Sequence, residues 1–157
     1  MNPCPCGYLG HSNGRCHCTP EQIQRYRSRI SGPLLDRIDM HVEVPNVSRE
    51  VLRGLGKAQA SETSQVVRER VEACRHRQIE RTGKPNAQLS NKSIEQTCKL
   101  NAQDVQLLET AIDKLGLSAR AYHRILRVAR TIADLAGEAS IQTPHLTEAI
   151  SYRRLER

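Results

Sequence analysis

Four cysteines near the start of the sequence have the residue type and the spacing of a metal site. They form two C-x-C pairs, Cys4 with Cys6 and Cys16 with Cys18, and nine residues lie between the pairs. Zinc prefers four soft or borderline ligands in a tetrahedron, and four thiolates satisfy that preference. Glycines between the pairs allow the loop to fold back so that both pairs reach one ion. The cluster therefore predicts a structural Zn²⁺ site.

Alternatives to this four-cysteine site stay open. One residue separates the members of each pair, whereas structural zinc sites usually have about two to four, so His11 or His17 could replace one cysteine. The thiols could also be free and redox-active, or form disulfides. The first residues lack a charged stretch followed by an apolar one, and without a secretory context a tight cluster indicates metal before disulfides. Cys74 and Cys98 are expected to be small buried apolar residues of helices.

A second candidate site consists of arginines on one predicted helix. At about 100° per residue, the arginines that gather on one side are Arg120, Arg124, Arg127 and Arg130. The apolar residues on the other side are Tyr122, Ile125, Leu126, Ala129, Ile132 and Ala133. This pattern is typical of a core face opposite a solvated face. The alternative is that an arginine binds phosphate, and Arg120 is the best candidate because helix N-terminal amides and the helix dipole favour anions in the first turn.

The elements that would position these groups are mostly helices. A helix is expected over about 20–30, a helical turn over 34–39, and the alternation at 41–44 predicts a short strand closed by Pro45. A domain boundary is expected near Asn46. Beyond it, apolar spacing and capping residues predict helices over about 62–81, 91–99, 102–115 and 119–136, and a last one from 143.

The charge of the chain is compatible with a polyanionic partner. The net charge is +7, from 24 Lys+Arg against 17 Asp+Glu, and arginines outnumber lysines. Nucleic acid and nucleotide phosphates both fit this balance, and the excess of arginine favours such a partner over the alternative of a merely basic, solvated surface. No apolar run reaches the roughly 20 residues that span a bilayer, so we expect a cytoplasmic protein with no membrane partner.

Three stretches of sequence resemble a known family. They are MNPCPCG at 1–7, RISGPLLDRID at 29–39, and LSARAY at 117–122 continued by RVARTIADL at 127–135. Together they resemble the magnesium-chelatase-like AAA+ ATPase family, in its competence (ComM, YifB) type. The resemblance covers essentially the whole chain and about the last third of a family member. It implies a mainly α fold, in which a helical lid over 47–157 follows a small remnant of the AAA+ α/β core over 1–46.

The resemblance also implies roles for three residues. Asn2 resembles the sensor-1 residue that orients the attacking water, and Arg37 resembles an arginine finger that reaches the nucleotide of a neighbouring subunit. Arg120 resembles the sensor-2 arginine of the lid, and Arg124 is assigned to nucleotide binding with it. Guanidinium groups suit these roles because phosphoryl transfer develops negative charge.

More ordinary roles for two of these residues stay open. Arg37 could instead form an ion pair with Asp36 or Asp39, and Asn2 could be a turn residue before Pro3.

The function that the resemblance implies is a part of a ring-shaped, homo-oligomeric, hexamer-like motor. Such a motor would hydrolyse ATP with Mg²⁺ and act on DNA, in the manner of branch migration during competence. The sequence has no G-x-x-x-x-G-K-[ST] phosphate-binding loop, so the chain alone is not expected to hydrolyse ATP. Alternatives are a subunit of a true magnesium chelatase, against which the cysteine loop argues, a free-standing zinc-stabilised DNA-binding module, and an interaction domain without a ligand.

Overall fold

The computed structural model describes residues 2–11, 14–44 and 62–153. The chain divides into two compact units, Met1–Ile38 and Asp39–Arg157. The regular structure of the described residues is helical, which confirms the mainly α fold class. The predicted boundary at Asn46 lies outside the described residues.

The first unit contains a loop and two short helices, α1 (Pro20–Arg27) and α2 (Gly32–Leu35). Helix α1 begins where the sequence predicts it, because the Thr19 side chain accepts from the amide of Gln22 and the Gln22 side chain accepts from the amide of Thr19. It ends three residues before the predicted end at Ile30. The Ser28 hydroxyl donates to the carbonyl of Arg25 at 3.0 Å, a local bond that competes with continuation of the helix.

The second unit is a bundle of helices. Its elements are α3 (Ser64–Thr82), a 3-10 helix (Asn86–Gln88), α4 (Asn91–Thr97), α5 (Ala102–Leu115), α6 (Ala119–Ala136) and α7 (Thr143–Ser151). Helices α3, α5 and α6 each end at a glycine in the left-handed conformation, the usual way of satisfying the last carbonyls. The bounds lie within about two residues of the predicted ones, which confirms the helical bundle.

Helix α6 is the centre of this bundle, and the other helices of the bundle, including the 3-10 helix, pack against it. Its apolar side is the predicted one: Ile125, Leu126, Ala129 and Ala133 are at most 2% exposed. The buried apolar residues of the cluster around it are Leu89, Ile94, Cys98, Leu108, Ala121, Ile125, Leu126, Val128, Ala129, Ala133, Ile141, Leu146 and Ala149. Small alanines on the buried side of α6 allow its neighbours to approach closely, in a protein without Phe or Trp.

The strand predicted at 41–44 is wrong. These four residues form neither a helix nor a paired strand, and no strand occurs elsewhere in the described ranges to pair with them. The amide of His41 donates instead to the carbonyl of Tyr152 at 2.8 Å, beyond the end of α7. Alternating polar and apolar residues form a strand where a neighbouring backbone completes the ladder, so the pattern alone was insufficient.

Candidate metal centre and arginine-bearing helix

The four sulfur atoms of the cysteine loop lie together in the first unit. All four are within 4.8 Å of one another, and the Sγ–Sγ distances are 3.3 Å for Cys4–Cys6, 3.8 Å for Cys4–Cys16 and 3.7 Å for Cys6–Cys16. Four sulfurs bound at about 2.3 Å to one tetrahedral zinc ion lie about 3.8 Å apart. A disulfide needs about 2.05 Å, and these cysteines are unpaired. The geometry therefore fits a metal site and not a disulfide.

A tight turn follows Cys4, the buried member of the first pair of cysteines. The amide of Gly7 donates to the carbonyl of Cys4 at 3.0 Å, and Gly7 has φ of +81°, which favours glycine. A Cβ at this position would lie 3.3 Å from Nδ2 of Asn2. Cys4 is fully buried by this turn, and Asn2 packs across it. Neither His11 nor His17 belongs to the described group of possible ligands.

The thiols of the cluster differ in how readily they ionise. Burial opposes ionisation of Cys4, but hydrogen bonds from the Cys6 thiol and from the amides of Leu9 and Gly7 outweigh it and lower the Cys4 pKa to about 6. The amide of Cys6 lowers the pKa of Cys18, but the thiol contacts, burial and the charge of Cys4 outweigh it and raise that pKa to about 12. One thiolate therefore forms near neutral pH, and further ones need a cation to offset their repulsion.

Helix α6 presents two of its four arginines at the surface. Arg120 is exposed in the first turn. Arg124, one turn later, forms an ion pair with Asp39, in which the side chains are 27% and 40% exposed. Asp39, a possible partner of Arg37 by sequence, is thus bound to Arg124 of α6. Arg37 itself is exposed just after α2, and its amide donates to the carbonyl of Leu34 at 3.0 Å.

Of the other two arginines of α6, Arg127 is half-buried, as Arg124 is, and Arg130 is buried. Arg130 is 1% exposed, which contradicts its predicted placement. Its guanidinium donates to Asp134 at 3.1 Å, to the carbonyl of Ala139 at 2.9 Å and to that of Glu138 at 2.6 Å. Arg127 donates to the carbonyl of Leu89 at 3.2 Å. A guanidinium can be buried when its five donors find acceptors, and the turn after α6 supplies them to Arg130.

Asp134 is the centre of a buried polar cluster that sequence analysis missed. Arg81 of α3 donates to its two carboxylate oxygens at 2.6 and 2.9 Å, and Asn86 of the 3-10 helix donates at 2.8 Å. Burial alone would raise the pKa of Asp134, but these bonds and the charge of Arg130 lower it. Arg81 and Asn86 lie 53 and 48 positions from Asp134 in sequence, so no local pattern indicates these two partners.

The comparisons with known proteins agree with this arrangement. A family model described as "Magnesium chelatase, subunit ChlI C-terminal" matches residues 61–153, and one described as "Magnesium chelatase, subunit ChlI" matches residues 1–52. No helix of the described residues has the length and apolar character of a membrane span.

Relatives of the chain are found in several bacteria. It is 52% identical over 157 residues to competence protein ComM of Haemophilus influenzae, and 44% identical over 162 residues to the uncharacterised protein YifB of Escherichia coli. An uncharacterised protein of Mycobacterium bovis is 32% identical over 157 residues. The first two matches cover 100% and the third 98% of this chain, and each covers 30% of the relative. The chain therefore belongs to the magnesium-chelatase-like family, in the group of ComM and YifB.

Proposed function

We propose that this chain is the C-terminal part of an AAA+ ATPase that converts ATP hydrolysis into work on DNA. The observation that carries this proposal is the identity of 52% with a competence protein along the whole chain. The net charge of +7 supports a polyanionic substrate. ATP with Mg²⁺ would be the cofactor, a homo-oligomeric, hexamer-like ring the assembly, and the cytoplasm the location.

The division of labour within the chain follows the two family models. Their matches, at 1–52 and 61–153, support a remnant of the AAA+ core over 1–46 and a helical lid over 47–157. In this proposal Asn2 orients the attacking water and Arg37 reaches the nucleotide of the neighbouring subunit. Electrostatic stabilisation of the transferred phosphoryl group is the main task of such residues.

The lid arginines have a physical basis for contact with nucleotide. Arg120 is exposed in the first turn of α6, where backbone amides and the helix dipole attract anions. Arg124 lies one turn later and keeps part of its guanidinium accessible beside Asp39. We assign both to binding of the nucleotide phosphates, with Asp39 as the group that holds Arg124 when no nucleotide is present.

Steady-state ATP hydrolysis by the complete ATPase tests these roles. Arg37→Ala should lower kcat by about 10³-fold or more, the range for loss of an arginine finger, and Arg120→Ala by about 10²-fold, the range for loss of one preorganised donor. Arg75→Ala is the matched control, because Arg75 is an exposed arginine on α3 without a proposed role. Unchanged turnover in either of the first two variants would remove that residue from the proposal.

We propose that Zn²⁺ binds to Cys4, Cys6, Cys16 and Cys18 and has a structural role. The sulfur distances of 3.3–3.8 Å support a tetrahedral site. Four thiolates leave no open position on the ion, and catalytic zinc requires one. The ion would therefore hold the loop and take no part in ATP hydrolysis.

A second candidate is a free-standing, zinc-stabilised DNA-binding module. The cysteine cluster and the positive charge favour it. In that case the chain should bind DNA tightly without ATP, which the ATPase proposal does not require.

A further inference from the structure

The unit Met1–Ile38 has almost no apolar core. Among its described residues Cys4 is the single buried one, and neither α1 nor α2 contains a buried residue. Tyr8, Leu34 and Ile38 remain 40%, 47% and 41% exposed. Burial of apolar surface is the main favourable contribution to folding, so the residues of this unit contribute little of that stabilisation themselves.

Helix α1 has little stability of its own. It has eight residues, and isolated helices shorter than about 12–15 residues are marginal in water. Its described tertiary contact to the loop is a hydrogen bond from Nε of Arg27 to the carbonyl of Pro3, at 3.2 Å. Its N-cap, Thr19, directly follows Cys18 in the sequence. The start of the helix is therefore held next to a candidate metal ligand, and its end is tied to the turn that carries another.

We infer that metal binding by the four cysteines and folding of this 38-residue unit are a single coupled event. The inference rests on the proposed metal site. It adds that the metal stabilises helix α1 as well as the loop that holds the ligands. The described part of this unit has one buried residue, and no disulfide is present among the described cysteines, so a bound metal is the source of stability that its own residues offer. When a site does not exist in the unfolded chain, metal-binding free energy is folding free energy.

Thermodynamic linkage provides a test that leaves the ligands intact. Thr19→Ala removes the cap of α1, which typically weakens a helix enough to change a coupled equilibrium about fivefold. If α1 folds with the metal, this variant should bind Zn²⁺ about fivefold more weakly. Gln22→Ala, which removes the other half of the capping box farther from the ligands, should weaken binding in the same direction.

Thr63→Ala is the matched control. Thr63 caps α3 in the other unit by the same kind of bond, in which its hydroxyl oxygen accepts from the amide of Val66. The same atoms are removed there from a helix that is not coupled to the cysteine loop, so Zn²⁺ affinity should stay unchanged.

The experiment is competition for Zn²⁺ between a chromogenic chelator and the 157-residue chain, followed by amide hydrogen exchange with and without zinc. We expect one equivalent of zinc, the affinity order above, and loss of exchange protection over residues 20–27 but not 119–136 when zinc is removed. Zinc binding of equal affinity in all variants, or unchanged protection over residues 20–27, would overturn the coupling and leave the metal site standing. Absence of zinc binding by the unmodified chain would overturn the proposed site itself.

Discussion

At the scale of single residues, two groups of ionisable side chains differ in whether their negative charge is balanced by a cation. The thiols of the cysteine loop repel one another when they ionise, and a bound cation would offset this repulsion. Asp134 already has its cations, because Arg81 and Arg130 both bind its carboxylate. The cysteine thiols are therefore candidates for binding a metal ion. The carboxylate of Asp134 is already neutralised by arginines of the same chain.

Asp134→Asn should destabilise the second unit strongly. The variant leaves Arg81 and Arg130 without their carboxylate, and removal of one partner from a buried ion pair costs about 3–5 kcal/mol. Urea unfolding followed by helical circular dichroism measures the loss. Asp113→Asn on the exposed side of α5 is the control and should change the free energy of unfolding by less than about 0.5 kcal/mol.

The pH dependence of the same variant has a definite sign. The folded-state pKa of Asp134 lies below its ordinary value of 3.8, so its contribution to stability is present above that value and is lost as the pH falls through the folded pKa. The difference in unfolding free energy between the parent chain and Asp134→Asn should therefore be constant near neutral pH and should shrink below about pH 4. A difference that stays constant into stronger acid would contradict this role.

At the scale of elements, α6 determines the packing of the second unit. Its predicted apolar side is buried, and two residues of its polar side, Arg130 and Asp134, are buried as well. The helix is therefore enclosed on more of its circumference than a simple amphipathic helix. We expect its stability to depend on close fit as much as on apolar area.

Ala129→Leu tests this close fit. Ala129 is fully buried in the middle of α6, and additional methylene groups in a well-packed core typically cost about 1–3 kcal/mol. Ala136→Leu, at the exposed end of the same helix, is the control and should have little effect. Unfolding midpoints in urea compare the two variants, and equal midpoints would mean that the interior around α6 has unused space.

At the scale of the whole molecule, the chain matches only a part of its relatives. It spans 30% of the length of the relatives that it matches, and its sequence has no phosphate-binding loop. The proposed residues Asn2, Arg37, Arg120 and Arg124 would complete a nucleotide site whose other parts lie elsewhere. The two compact units differ in their source of stability: an apolar bundle in one, and the proposed metal in the other.

DNA binding by the 157-residue chain separates the two proposed functions. As a part of an ATPase the chain should bind duplex DNA weakly and without sequence preference, with a Kd in the micromolar range or weaker at physiological salt. Fluorescence anisotropy at several salt concentrations measures this. Binding that is tight without ATP, and that weakens steeply with salt, would favour the free-standing module.

The sequence determined much of this protein by itself. Capping residues and glycines fixed the helix ends, because Thr19 and Gly137 act on neighbouring backbone groups within one turn. The spacing of Cys4, Cys6 and Cys16 indicated a shared site, since short loops keep such ligands close together.

The tertiary structure alone decided which polar groups are buried. Arg130 is enclosed because Asp134 and the carbonyls of the following turn saturate it, and Asp39 binds Arg124 although 85 positions separate them. Whether the residues at 41–44 form a strand likewise depended on a distant backbone, which in the described structure offers no ladder. Periodicity reports the local conformation of a segment, whereas burial depends on the packing of the whole unit, and a pair such as Asp39–Arg124 depends on groups that are far apart in sequence.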